Sequence, residues 1–218
     1  MSFPLTHLLV AEELLTRRPR EDEAQYLLGA IAPDGVHYRK NISHEKGALG
    51  PAKKIAHLCP VSEELWGYVT DNDGWVECIS AFTRKNISSL AAGYATHCLT
   101  DLYNNKTLWT RFRTSSPEEA AKGYQSRYYD DLRNIDTRLY LDLAPKVERI
   151  WSLLAASTPT EMPGLVSTQE IADIKENILY QQYKGPLETP SQEYSFITYE
   201  ESLEFIQKAA DFIELLLK

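Results

Sequence analysis

The strongest helical signal in the chain runs from Asn86 to Tyr103, and the part reading "AGYATHCLTDLY" constrains the fold most tightly. His97 stands there four residues ahead of Asp101, among side chains that are otherwise apolar or small. Residues four apart on a helix share one face, with Cβ atoms about 5–6 Å apart. An imidazole and a carboxylate are thus set side by side on a surface that reads as buried. Either other ligand-type residues converge on this pair, or the two form a plain hydrogen-bonded pair inside the core.

Helical spacing continues through most of the sequence. Leu8, Leu9, Ala11, Leu14 and Leu15 mark a first helix over residues 6–16, with Pro4 and Ser2 or Thr6 as start signals. A second runs from Glu21 to Ile31 and stops at "APDG". Residues 35–60 are the least regular part, a loop long for a compact domain and so either functional or partly mobile. Further helices are expected over Ser62–Gly67, Gly74–Phe82, Pro117–Asp142, Pro145–Ala155, Thr168–Tyr183 and Thr198–Leu217. The last opens with "TYEE", a capping box from Thr198 to Glu201. "EYSFITY" is the only short candidate for a strand. The expected fold is all-α, a multi-helix bundle in one domain over residues 1–218, with the ligand-type residues in its first half.

Composition narrows the function classes. The chain has 23 basic and 31 acidic side chains and a net charge of −8, which argues against a nucleic-acid groove or an anionic membrane surface. No apolar run approaches the ~20 residues of a transmembrane helix. The opening "MSFPLTHLLVAEELLTRR" lacks a basic start and is interrupted by Glu12 and Glu13, unlike a signal peptide. Cys59, Cys78 and Cys98 are scattered, with no CxxC pair, so neither a disulfide framework nor a thiolate zinc site is expected. A reducing cytoplasm is the expected location.

Three residues elsewhere could join His97 and Asp101. Asp34, in "LGAIAPDGVH", exposes a carboxylate at a turn beside apolar surface, though Pro-Asp-Gly is also an ordinary turn former. His57, in "KKIAHLCP", is an imidazole in an apolar triplet, where a satisfied core histidine is the plainer reading. His7 lies on the opening turn of the first helix and could equally be an exposed polar residue. Imidazole nitrogen and carboxylate oxygen both ligate zinc at about 2.0–2.2 Å, so the five could serve one metal centre. His37 could join the site, or with Arg39 receive substrate; His44 reads as an exposed loop residue.

In this order, "PLTHLLVAEELL", "LLGAIAPDGVHYR", "KKIAHLCP" and "AAGYATHCLTDLY" resemble the zinc-dependent phospholipase C-like family, in its intracellular bacterial branch. The resemblance covers roughly the first half of the chain. It implies a helical bundle of the phospholipase C and single-strand-nuclease type. It also implies one metal site made by Asp34, His57, His97 and Asp101, with His7 holding a neighbouring ion bridged by Asp101. The chain has no histidine after His97, so one or two divalent ions, zinc first among them, are expected rather than three.

Such a site would act on a small phosphorylated substrate, with Asp34 orienting or deprotonating the attacking water. Arg39, Lys53 and Lys54 could receive phosphate, although solvated surface charge is the plainer reading. Tyr38, Trp66, Trp75 and Tyr103 could line a pocket or simply fill the core. Asp131 or Asp136 could approach the cluster from a facing helix, or lie on a charged solvent face with Arg127 and Arg133. Leucines of the last helix could support a homodimer. The competing reading is a non-catalytic helical protein in which the same residues form a structural metal site or a buried polar network.

Overall fold

The computed structural model describes residues 3–40, 50–61, 74–185, 187 and 189–217. The regular elements among them are helices: α1 (Pro4–Arg17), α2 (Glu23–Gly29), α3 (Gly50–Ala56), α4 (Trp75–Lys85), α5 (Ser89–Asn104), α6 (Thr110–Ser115), α7 (Pro117–Ala120), α8 (Arg127–Asp142), α9 (Ala144–Ala156), α10 (Thr168–Tyr180) and α11 (Tyr199–Leu216). No strand occurs among the described residues; "EYSFITY" instead leads into α11, and the one extended pairing is an isolated bridge between Met162 and Val166. The all-α expectation is met.

α5 is the hub. Thirteen of its sixteen residues are buried, and α1, α2, α4 and α11 all pack against it. Ser88 starts it by accepting a hydrogen bond from the Ala91 amide at 3.1 Å, satisfying a backbone donor that would otherwise be orphaned. Small residues let its neighbours come close, and the contact with α2 is made backbone to backbone. A methyl group on Gly93 would sit 1.9 Å from the Tyr26 carbonyl oxygen, and one on Gly29 would sit 2.1 Å from that of Leu90. Both positions therefore require glycine for space rather than for backbone freedom. Gly93 shares the His97 side of α5, and the backbone of α2, not a ligand, fills the space beside it.

After α2 the chain makes a 3₁₀ turn over Ala32–Tyr38 that carries Asp34. α10 backs this turn: Gly35 lies against the Glu170 carbonyl, and Arg39 closes a two-pronged pair with the Glu170 carboxylate at 2.5 and 3.1 Å. Glu170 also completes a capping box with Ser167 at the start of α10, a box the sequence reading did not find. The one expected at Thr198 is present.

Three expectations need correction. The helix expected over Pro117–Asp142 is broken between α7 and α8, because Gly123 turns the chain at φ +57°. The long loop over 35–60 contains the 3₁₀ turn and α3, and its residues 41–49, with His44, lie outside the described residues, as do Ser62–Gly67 and Trp66. Asp131 and Asp136 neither approach the cluster nor face solvent. Asp131 is buried and accepts the amides of Ser195, Phe196 and Ile197, anchoring the approach to α11. Asp136 is buried and takes the Tyr183 hydroxyl at 2.7 Å and the Gln182 amide at 3.4 Å.

Two predictions follow from this packing. Gly93→Ala drives a methyl into the α2 backbone, so chemical denaturation is expected to show a loss of about 3 kcal/mol or more. Wild-type stability would mean that α2 and α5 are further apart. Burial raises the Asp136 carboxyl to about 7, against donation from Tyr183 and Gln182. Its folded value lies above the unfolded ~3.9, so the stability it contributes is complete below about pH 4 and lost as pH rises through 7. Relative to Asp136→Asn, the wild type should lose up to about 1.4 kcal/mol per pH unit across that window. Parallel pH profiles for the two proteins would contradict it.

Candidate metal centre

Four elements bring the ligand-type residues together. α1 supplies His7, the 3₁₀ turn Asp34, the end of α3 His57, and α5 both His97 and Asp101. His7, His57, His97 and Asp101 are each at most 1% exposed. Asp34 alone touches solvent, with 15% of its side chain exposed. The side chains form two overlapping triads, each with ligand atoms within 4.8 Å of one another: Asp34, His57 and His97 on one side, and His7, His97 and Asp101 on the other.

The backbone dictates which ring atoms point inward. His97 Nδ1 lies 2.8 Å from the Ala30 carbonyl, and His57 Nδ1 lies 2.9 Å from that of Lys53. A carbonyl only accepts, so both Nδ1 atoms carry the hydrogen, and in the neutral ring Nε2 presents its lone pair. Those two Nε2 atoms face each other at 3.3 Å. Neither can donate to the other, and two opposed lone pairs at that distance call for something positive between them.

Two carboxylates close on the same point. Asp34 Oδ1 lies 3.2 Å from His57 Nε2 and 3.9 Å from His97 Nε2. Asp101 Oδ2 lies 3.7 and 3.8 Å from the same two nitrogens. A tetrahedron with bonds of about 2.0–2.2 Å has edges of roughly 3.3–3.6 Å, and each of these separations lies within about 0.3 Å of that range. Asp101 turns its other oxygen the opposite way, with Oδ1 3.5 Å from His7 Nε2. The His7 ring is stacked on His97, with centroids 3.8 Å apart and planes 10° from parallel.

Electrostatics and hydrogen-bond satisfaction agree with the distances. Both nitrogens of His7 and both oxygens of Asp101 are buried without a hydrogen-bond partner. Each such atom costs about 1–3 kcal/mol when left unmet. Burial and the neighbouring His97 push the His7 imidazole down to about 3, and burial likewise lowers His57. Burial alone would raise Asp34, but His97, His37 and His57 outweigh it and hold the carboxyl well below its ordinary range. Asp101 is held low in the same way, against burial, by His7 and His97. With His7 and His57 disfavoured as cations and Asp34 and Asp101 held ionised, a divalent cation would balance the charge at this point.

The surrounding residues serve the cluster in ways the sequence did not announce. Trp75, fully buried at the start of α4, donates its indole N–H to the His57 carbonyl at 2.8 Å, and the Tyr94 hydroxyl donates to the Ala56 carbonyl. Leu58 takes a left-handed φ of 56° immediately after His57, a conformation costing roughly 1–2 kcal/mol outside glycine. Trp75 is thus a support rather than a pocket wall, and Tyr103 packs on Phe205 and Phe212. Burial raises the Cys59 thiol to about 11 and also raises that of Cys98, and neither cysteine belongs to the two triads.

At the solvent edge, His37 Nε2 lies 3.6 Å from Asp34 Oδ1 and 3.4 Å from the Lys53 ammonium. Arg39, the other candidate for substrate, has its guanidinium engaged by Glu170 and the Leu165 carbonyl. It ties α10 to the Asp34 turn instead.

Titration of metal-stripped protein with zinc is expected to show one tight site and a second, weaker one. Asp101→Asn should weaken both, whereas His7→Ala should remove only the weaker. At zinc about a hundredfold above Kd, unfolding should become about 2.7 kcal/mol harder. Less than about a tenth of an equivalent bound would exclude a resident transition metal.

The chain matches no family model, no curated protein and no solved structure.

Proposed function

We propose that the chain is a metal-dependent phosphoric ester hydrolase of the zinc-dependent phospholipase C-like kind. The observation that carries this reading is the junction of two ligand triads at His97, with Asp101 turning one oxygen to each side. Histidines and carboxylates without thiolate suit zinc, and one or two ions match the two triads. A bound divalent ion would supply Lewis acidity, polarising a phosphoryl oxygen and acidifying water.

The residues of this chain divide the remaining work. His57 and His97 are oriented by carbonyls behind them, so their inner nitrogens are fixed before any ligand arrives. Asp34 is the general base: it touches solvent and meets His37, His57 and His97 all through Oδ1, which leaves Oδ2 for water. Its Oδ2 takes the proton of the attacking water. His37 and Lys53 give the entrance a polar, cationic lip that suits a small phosphorylated substrate. A purely structural site would be closed on all sides, and here Asp34 keeps one edge open. The cytoplasm remains the proposed setting.

Asp34→Asn, assayed at saturating zinc against a panel of phosphate mono- and diesters, should lower kcat by about 10²–10⁴-fold. Its melting temperature should stay close to wild type, because Asp34 sits at the rim. Unchanged turnover would remove Asp34 from the chemistry. Loss of fold without metal-dependent turnover in either protein would favour the structural reading.

A further inference from the structure

Where α1, α4, α5 and α11 meet, away from the metal centre, the surface changes character. Ile87, in the turn between α4 and α5, is 95% exposed. Across a groove of about 530 Å³ stands the end of α11, and Leu216 and Leu217 share the lining with Ile87, Arg20 and Arg84. Leu215 beside them is 67% exposed. Ile87, Leu215 and Leu216 are exposed, whereas Leu217 packs in part against the core.

Cations gather on the same ground. Arg84 and Lys85 form the last turn of α4, directly before Ile87, and Arg18 borders an adjoining hollow that shares Arg20 and Leu217. Among the described residues none of Arg18, Arg20, Arg84 and Lys85 forms an ion pair; Arg20 lies over the Tyr26 ring at 5.5 Å. The acids nearby are partly answered: Glu214 is engaged by Arg17, while Glu21 lines the groove. A chain of net charge −8 thus gathers at one end four cations that form no ion pair among the described residues.

We propose that this end of the molecule docks on an anionic membrane surface, with Ile87 and Leu215 entering the headgroup layer and the four cations contacting lipid phosphates. The pairing of protruding aliphatic tips with unpaired cations is what interfacial binding requires. A free anion would use the arginines but would leave the aliphatic tips exposed. A second copy packed about a two-fold axis would set this cationic patch against itself. Whole-chain charge argued against an anionic membrane, but four cations lie together here, against Glu21 and the already paired Glu214 in the same hollows. Ile87 precedes His97 by ten residues along α5 and its approach, roughly 15 Å, so docking and metal chemistry occupy different ends.

The test is co-sedimentation of the full chain with vesicles of phosphatidylcholine alone and with one-quarter phosphatidylserine. Binding is expected only to the anionic vesicles and should weaken sharply in high salt. Neutralising Arg20 or Arg84 should lower partitioning about fivefold for each charge. Ile87→Asp should abolish partitioning, and its 95% exposure predicts an unperturbed fold. Zinc binding and turnover of soluble esters should be unchanged in these variants, which separates failure here from failure of the hydrolase reading. Equal binding to neutral vesicles, or none to either, would overturn the proposal. So would displacement by millimolar inorganic phosphate, or self-association abolished by Ile87→Asp.

Discussion

The close contact of α2 and α5 is the constraint from which the site is built. Because Gly29 and Gly93 let two backbones touch, the Ala30 carbonyl at the end of α2 comes within reach of His97. That hydrogen bond fixes the imidazole tautomer and aims its free nitrogen away from α2. Four residues beyond Ala30 the chain has made its 3₁₀ turn, and Asp34 arrives on the same side. A larger residue at either glycine would separate the helices and move both a ligand and the carbonyl that orients it.

A second layer holds the remaining ligands. α3 delivers His57 at its end, where the Trp75 and Tyr94 side chains grip consecutive carbonyls and Leu58 turns the chain sharply. The cluster is costly to this fold in its own right. It contains orphaned polar atoms, opposed lone pairs and carboxylates held ionised in the interior. These liabilities meet at one point and all have the sign that a divalent cation relieves. Asp136 shows the contrast: with neutral donors and no cation, its carboxyl moves up instead of down.

Much of this was readable in advance where local spacing determines the outcome. The four-residue step from His97 to Asp101 puts both side chains on one helix face, and the Pro-Asp-Gly turn does expose a carboxylate beside apolar surface. The structure brings His7, Asp34, His57, His97 and Asp101 together, although each had a plainer local explanation. What escaped reading depends on contacts between distant segments. Nothing local marks Gly93 as the point where α2 presses its backbone on α5. Asp131 reads as a surface acid until the amides of Ser195–Ile197 arrive, and Arg39 reads as a free cation until Glu170 meets it. The π-helical turn of Asn105–Trp109 and the short α6 after it have no periodic signature of their own.

X-ray absorption at the zinc edge of the loaded protein addresses the central claim most directly, because it reads the atoms around the ion without reference to activity. The ligands His57, His97, Asp34 and Asp101 predict a shell of nitrogen and oxygen only, at about 2.0–2.1 Å, with outer-shell scattering from two imidazoles per tight ion. A sulfur shell at about 2.3 Å, or an ion surrounded by water without imidazole scattering, would place the metal elsewhere and contradict the account.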